Sequence, residues 1–231
     1  MARRRVNTTK LEIIQTATRM FLEKGYSATS IKAIANALDM STGHLTFYFP
    51  AKENLLAELV DMLCSFQWAL MKQHVEEGES LLMAICLELT SMAAICEENE
   101  IAKDFFISAY THSLTLEIIR KNDAQRAKLV FAEYCPDWSD KQFAEVETLV
   151  SGVEYATLMT TGDSAPIDMR ISGALNNIMM LYQVPEEMRR QKIQRALSMD
   201  YRAIGRTVLQ EFMAYIEETN EQAFEELLRR K

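Results

Sequence analysis

Seven residues in the first quarter of the chain carry groups suited to recognition rather than to a reaction: Lys32, Thr42, Gly43, His44, Thr46, Tyr48 and Lys52. Hydroxyls and a neutral imidazole both donate and accept hydrogen bonds. Ammonium groups neutralise phosphate, and a glycine lets another backbone approach closely. Thr42, Gly43 and His44 stand together at the start of a short helical stretch, where they suit the edges of bases. Lys32, Thr46, Tyr48 and Lys52 surround them and suit phosphates; Lys52 lies near the start of the next helix, where free N–H groups and the helix dipole already favour an anion. Nothing comparable points to catalysis. The chain has no G-x-S-x-G, no H-E-x-x-H, no P-loop and no Gly-rich fingerprint, so neither an enzyme nor a cofactor is expected. Three widely spaced histidines and no C-x-x-C pair give no recognisable metal-ligand pattern.

These residues must be held by short helices. Ile31, Ile34, Ala35 and Leu38 recur at helical spacing, with Thr29 or Ser30 as the N-cap. Asp39 sits at a turn, where a left-handed residue is tolerated. Ser41 or Thr42 caps the next helix, which Leu45 and Phe49, four apart, anchor to the core; Phe47 is expected to pack there too rather than reach a thymine methyl. The pattern predicts a helix-turn-helix whose second helix enters the major groove of double-stranded DNA. A helix from about Thr9 to Lys24 precedes it, with Ile13, Ile14, Ala17 and Phe21 inward, Gly25 as its stop and Tyr26 in the core. Residues 1–8 form a basic arm in which Arg3, Arg4 and Arg5 either reach phosphates or a minor groove, or are a solvated tail.

Residues of roughly 10–56 resemble the N-terminal domain of the TetR (tetracycline repressor) family. The pattern runs through Ile14, Ala17, Phe21, Gly25, Tyr26, Thr29, Ile34, Ala35, Ser41, Gly43, Leu45, Phe49, Lys52, Glu53 and Leu55. The resemblance covers about a quarter of the chain; the rest resembles the family only in being helical and of suitable length. Four positions depart from the pattern. Asp39 stands where the family usually has Gly, Thr46 where it has Tyr, and His44 and Ala51 where it has Ser or Thr. The family's Tyr commonly touches the DNA backbone, so Thr46, with its shorter reach, shares that role with Tyr48, which matches another backbone-contact position. The resemblance implies a ligand-responsive repressor in which the helix after Pro50 moves when ligand binds and changes the separation of two heads.

The charge distribution fits an end-on partner. Residues 1–52 hold eight Lys and Arg against three Asp and Glu, a balance of +5, which leaves −13 on the remainder of a chain whose net charge is −8. A basic head on an acidic body is the split expected when one end meets phosphate. At 231 residues the chain can bury a large core, and its 7 glycines and 4 prolines argue against a turn-rich β fold. No apolar run is long enough for a membrane span, and the basic start lacks the apolar core of a secretory signal, so a cytoplasmic protein without a membrane partner is expected. Cys64, Cys86, Cys96 and Cys135 lie in apolar helical contexts and read as reduced core cysteines.

The expected architecture is all-α. Residues 1–50 form the helix-turn-helix domain and residues 51–231 an all-helical domain for ligand binding and dimerisation. The body helices are expected at about 51–75, 80–97, 102–110, 113–134, 139–160, 167–183, 185–199 and 201–218, with Asn220 capping a last stretch. One head reads too little DNA for regulation, so a homodimer on a palindrome is expected. Leu149, Val153, Leu158, Ile178, Met179 and Leu181 are candidates for its interface and equally for monomer core. Met62, Phe66, Phe105, Phe106, Tyr110 and Tyr155 are candidate lining for a small apolar ligand, since methionine and aromatic side chains suit adaptable pockets. No charge pair or polar cluster inside the body indicates which ligand. The alternative to a small-molecule ligand is control by a protein partner.

Overall fold

The computed structural model describes the backbone of residues 2–229 and the side chains of residues 8–223. Among the described residues the chain is helical throughout, with no strand. The head comprises α1 (Ala2–Lys24), α2 (Ile31–Ala37) and α3 (Thr42–Tyr48). α1 begins well before the expected Thr9, because nothing in residues 2–8 is Gly or Pro and nothing there stops a helix. The side chains of Arg3, Arg4 and Arg5, the expected basic arm, lie outside the described residues.

Local signals set the head as expected. Ser30 caps α2 by accepting from the Ala33 N–H at 3.1 Å, and Ser41 caps α3 by accepting from the His44 N–H at 3.1 Å. Thr29 is buried instead, its hydroxyl donating to the Gly25 carbonyl at 2.8 Å. Asp39 makes the turn with φ +50°. Ile13, Ile14, Ala17 and Phe21 of α1 meet Ile34, Leu45 and Phe49 in one buried cluster that also takes in Tyr26, whose ring packs edge-on against Phe21.

The body is built round α5 (Leu81–Glu98), which packs against α4 (Lys52–Glu76), α6 (Glu100–Thr111), α7 (Ser113–Phe131), α8 (Asp140–Leu158), α9 (Ile167–Leu181), α10 (Glu186–Leu197) and α11 (Tyr201–Arg229). Its sequence is apolar on every side and 13 of its residues are buried, as a helix enclosed by neighbours requires. Gly205 lets α11 approach it: a Cβ there would meet the Ser91 carbonyl oxygen at 3.1 Å. α4 packs against α1 in the head and against α5 and α7 in the body, so one rigid element joins the two. Ser80 and Asn99 cap α5 and α6 through their side-chain oxygens.

One expected boundary is absent. α11 runs without a break through Asn220, which is buried rather than capping a new helix. Packing along α5 and α1 holds it straight, and tertiary contact outweighs the weak local preference of Asn for a cap. All four cysteines are buried and unbridged, and burial pushes Cys64, Cys86 and Cys96 each up to about 12. No helix among the described residues is long and apolar enough to cross a membrane.

Candidate nucleic-acid interface and the interior behind it

α3 turns Leu45 into the core and presents Thr42, Gly43 and His44 to solvent, with Thr46 and Tyr48 half-buried beside them. Gly43 is open, with nothing within 4 Å of a Cβ placed there. The Thr46 hydroxyl donates back to the Gly43 carbonyl at 3.2 Å. Lys32 of α2 is exposed on the neighbouring helix. Each of these residues is therefore at least partly open to solvent.

Two assignments change. Phe47 is not in the core: it is 76% exposed, edge-on to Tyr48 with ring centroids 5.3 Å apart, and Tyr48 in turn lies beside His44 at 5.5 Å. Leu45 and Phe49 are a full turn apart and point inward together, so Phe47, midway between them, points out. The exposed face of α3 is thus more aromatic than expected. Lys52 is not a free cation. Its ammonium donates to the carbonyls of Tyr26 at 2.9 Å and Thr29 at 3.0 Å and sits 3.9 Å from the Tyr26 ring centroid. Burial lowers its pKa, against the opposing pull of Glu53 and Asp104.

Lys52 belongs to a fastening between head and body. The Asp104 carboxylate of α6 accepts from the Ser27 N–H at 2.8 Å and from the Ser27 hydroxyl. His112, at the end of α6, stands 3.4 Å from the Tyr26 hydroxyl and 3.7 Å from the carboxylate of Glu53, in the first turn of α4. Its other ring nitrogen, Nδ1, faces the Ser108 carbonyl at 2.8 Å and donates to it. Burial, followed by the nearby charges of Glu53 and Asp104, pushes Tyr26 up to about 12 and keeps its hydroxyl a donor.

Gly25 is required twice at this joint. Its φ is +93°, and a Cβ would meet the Asp104 carboxylate at 3.0 Å. Gly25→Ala is expected to destabilise the fold by about 2 kcal/mol through backbone strain and displaced Asp104, lowering Tm by about 5 °C in a thermal melt. An alanine variant as stable as the parent would mean that α6 is not held against this loop.

The ligand-lining candidates separate. Phe66 and Phe106 share the wall of an apolar cavity of about 30 Å³ with Leu63, Leu70 and Phe212, where α4, α5, α6 and α11 meet. Phe105 is buried behind it, against Phe106 and Phe212. Tyr110 directs its hydroxyl to Glu154 at 3.0 Å. Met62 and Tyr155 are partly buried and line neither this cavity nor its neighbour.

The body also holds a polar cluster that the sequence reading did not single out. Next to this cavity, Arg126 of α7 forks to Glu88 of α5 and also reaches Asp123 at 3.3 Å. Gln67 donates to Glu88 at 2.7 Å, and Trp68 ties Asn122 at 2.7 Å. Glu147 of α8 is 2% exposed, and one of its oxygens accepts from the Tyr182 hydroxyl. A faint signal lay in the sequence: Glu147 interrupts the apolar stripe of Phe143, Val146 and Val150, and Glu88 interrupts the apolar run of α5.

Burial, and then the charge of Asp123, pushes Glu147 up to about 8; burial likewise pushes Asp123 up to about 6 and Glu154 well above the usual carboxylate range. A carboxyl whose folded pKa exceeds its unfolded value holds a proton that the unfolded chain releases, so stability falls as pH rises from about 4.3 towards 8. Glu147→Gln keeps the acceptor for Tyr182 and removes the charge. It is expected to be more stable than the parent by about 2 kcal/mol at pH 8.5, with the gap closing below pH 5. Urea unfolding across this range checks it; a parent whose stability is flat between pH 5 and 8.5 would contradict a protonated Glu147.

Comparison with known proteins agrees with this geometry. Residues 13–59 match the family described as bacterial regulatory proteins, tetR family. The probable HTH-type transcriptional regulator YttP of Bacillus subtilis (strain 168) is 40% identical over 53 residues, 23% of this chain and 26% of YttP. The uncharacterized HTH-type transcriptional regulator YuxN of the same organism is 32% identical over 96 residues, 42% of this chain and 32% of YuxN. The chain therefore spans about a quarter to a third of the curated relatives it matches. The structure of RolR without ligand superposes with a TM-score of 0.60 at 16% identity, covering 79% of this chain and 95% of RolR. Thermus thermophilus FadR, a TetR family transcriptional repressor in complex with lauroyl-CoA, gives 0.56 at 16% identity over 77% of this chain and 96% of FadR. At such identities these two share the fold, and over all described residues that fold is an N-terminal helix-turn-helix on a helical body. The head, with its caps, turn and outward-facing third helix, is thus similar over residues 13–59 to the tetR family of bacterial regulatory proteins, and the whole shares the fold of RolR and FadR.

Proposed function

We propose that the protein is a dimeric transcriptional regulator that binds a palindromic operator through α3 and leaves it when a small ligand enters the body. The observation that carries this reading is the solvent face of α3, which offers Thr42, Gly43, His44 and Phe47 at the end of a chain whose charge is otherwise acidic. His44 hydrogen-bonds a base edge and Phe47 covers a thymine methyl. Lys32, Thr46 and Tyr48 meet phosphates, and Lys52 acts by holding the loop between α1 and α2 on the first turn of α4, whose N–H groups face the backbone. On this reading the chain divides near Pro50, with α4 carrying movement of the body to the head.

Selection from a random duplex pool tests the reading. An enriched palindrome bound by two copies is expected. His44→Ala and Phe47→Ala should each weaken that site by about 10- to 100-fold while leaving the salt dependence alone, and Lys32→Ala should reduce the salt slope by about 1. Absence of any enriched sequence would sink the proposal.

Dimerisation is supported by one face. Leu149 of α8 and Met169 and Met180 of α9 are 56%, 67% and 51% exposed. Gly152 and Gly173 stand on the same two helices with nothing within 4 Å of a Cβ, so no contact within the chain calls for glycine there. Leu158, Ile178 and Met179, three of the interface candidates, are buried in the core of the single chain. FadR, solved with lauroyl-CoA, is a precedent for a ligand in a body of this fold.

A further inference from the structure

We infer that the ligand is a protonated amine on a compact apolar frame, its ammonium seated against Glu147 and Glu154 in the cavity between α5, α7, α8 and α9. The inference rests on the ligand-responsive reading above and gives that ligand a chemical class.

The interior is short of positive charge. Glu88, Asp123, Glu147 and Glu154 face a single guanidinium, Arg126, whose terminal nitrogens are already taken by Glu88 and Asp123. Glu147 is 2% exposed and lines a void of about 30 Å³. One of its oxygens accepts from Tyr182, and the other, Oε2, has no hydrogen-bond partner among the described residues. Glu154, on the same wall about two turns along α8, accepts among the described residues only from the Tyr110 hydroxyl. An ammonium supplies a charge and three donors at this place; an anion would add to four carboxylates. The Nε of Arg126, also without a partner, calls for an acceptor that a neutral ligand oxygen supplies without adding charge.

The surroundings set the rest of the molecule. Glu88 and Met92 line both this void and the apolar cavity walled by Phe66, Leu70, Phe106 and Phe212, so a ligand anchored on the carboxylates extends its carbon frame there. Each void admits little more than a water or two. The ligand therefore enters by moving its walls, and Met92, flexible and shared by both, is the side chain best able to yield. No group of three His, Cys, Asp or Glu among the described residues is spaced to hold a metal ion. Burial, and then the charge of Asp123, raises both Glu147 and Glu154 above the usual carboxylate range. The groups facing them are Glu88 on α5, Tyr110 on α6, Asp123 and Arg126 on α7, and Tyr182 just after α9; among the described residues only Arg126 brings charge of the opposite sign. A cation beside such a carboxyl favours its charged form, so amine binding is expected to release protons.

The test is calorimetric titration of the full chain with matched probes: hexylamine, 1-hexanol and hexanoate, and phenethylamine, 2-phenylethanol and 3-phenylpropanoate. The amines are expected to bind and their neutral and acidic counterparts not to. Affinity should rise between pH 6 and 8, where the amines stay charged, and the heat should vary with the buffer's ionisation enthalpy as protons are released. Glu147→Gln and Glu154→Gln should each weaken amine binding at least tenfold. An alcohol that binds as tightly as its amine, a preference for the acids, failure of both amines to bind, or amine binding untouched in both variants would overturn the inference. Operator affinity is measured alongside. Amines that bind without changing it support the site while refuting the ligand-responsive reading. A neutral compound that releases the operator when no amine binds refutes the amine site alone.

Discussion

Arg126→Met is expected to destabilise the folded chain by about 3–5 kcal/mol, one of the largest effects of any single substitution here. Arg126 is almost fully buried and holds together carboxylates from two helices, Glu88 of α5 and Asp123 of α7. Methionine fills a similar volume, so the cost arises from electrostatics rather than from a cavity. Glu88 and Asp123 lose their charged donor, keeping Gln67 and Asn122, and Glu147 and Glu154 lose the only positive charge facing them among the described residues. The buried Glu147 and the partly buried Glu88, Asp123 and Glu154 then either take up protons or repel one another. The loss should therefore be smaller at pH 5, where protons are available, than at pH 8. Urea unfolding at both pH values measures this, with a fall in Tm of about 10 °C near neutral pH. Adding Glu88→Gln to Arg126→Met should recover part of the loss, because it removes the carboxylate that Arg126 pairs most closely. A variant within about 1 kcal/mol of the parent at pH 8 would show that the charges are solvated in solution, and the amine site would lose its basis.

Gly173→Leu is expected to give a stable monomer that binds the operator about 100-fold or more weakly. Glycine within a helix costs roughly 0.5–1 kcal/mol relative to alanine, and nothing in the chain around Gly173 repays that cost. A second copy of α8 and α9 approaching Gly152, Gly173 and the exposed Met169 and Met180 would. Leucine at 173 blocks that approach while leaving the monomer room for the side chain. Loss of the dimer removes the tethering of the second head, an effect worth about two to four orders of magnitude in apparent affinity. Sedimentation and fluorescence anisotropy on the selected operator check both halves. A variant that stays dimeric would move the interface away from α8 and α9; one that is monomeric yet binds with full affinity would refute the need for two heads.

The head was legible in the sequence because its information is local. Two serines, a turn aspartate and the apolar positions of α2 and α3 lie within about 20 residues, and each cap or turn is decided by its immediate neighbours. Even the exposure of Phe47 was implicit: once Leu45 and Phe49 face inward, helical geometry turns Phe47 out. The division of charge between a basic end and an acidic remainder is likewise a property of the chain alone.

Tertiary structure decided the rest, because the partners are distant in sequence and share no pattern. Lys52 looked like a phosphate contact until the fold brought the Tyr26 and Thr29 carbonyls to its ammonium. Asn220 looked like a cap until packing against α1 and α5 carried α11 through it. Glu88 and Arg126 are 38 residues apart, and Glu147 and Tyr182 are 35 apart. On separate helices each acid resembles an ordinary surface residue. Only the packing of α7 and α8 against α5 and α9 removes the water that would have solvated them, and with it any freedom to treat their charges one at a time.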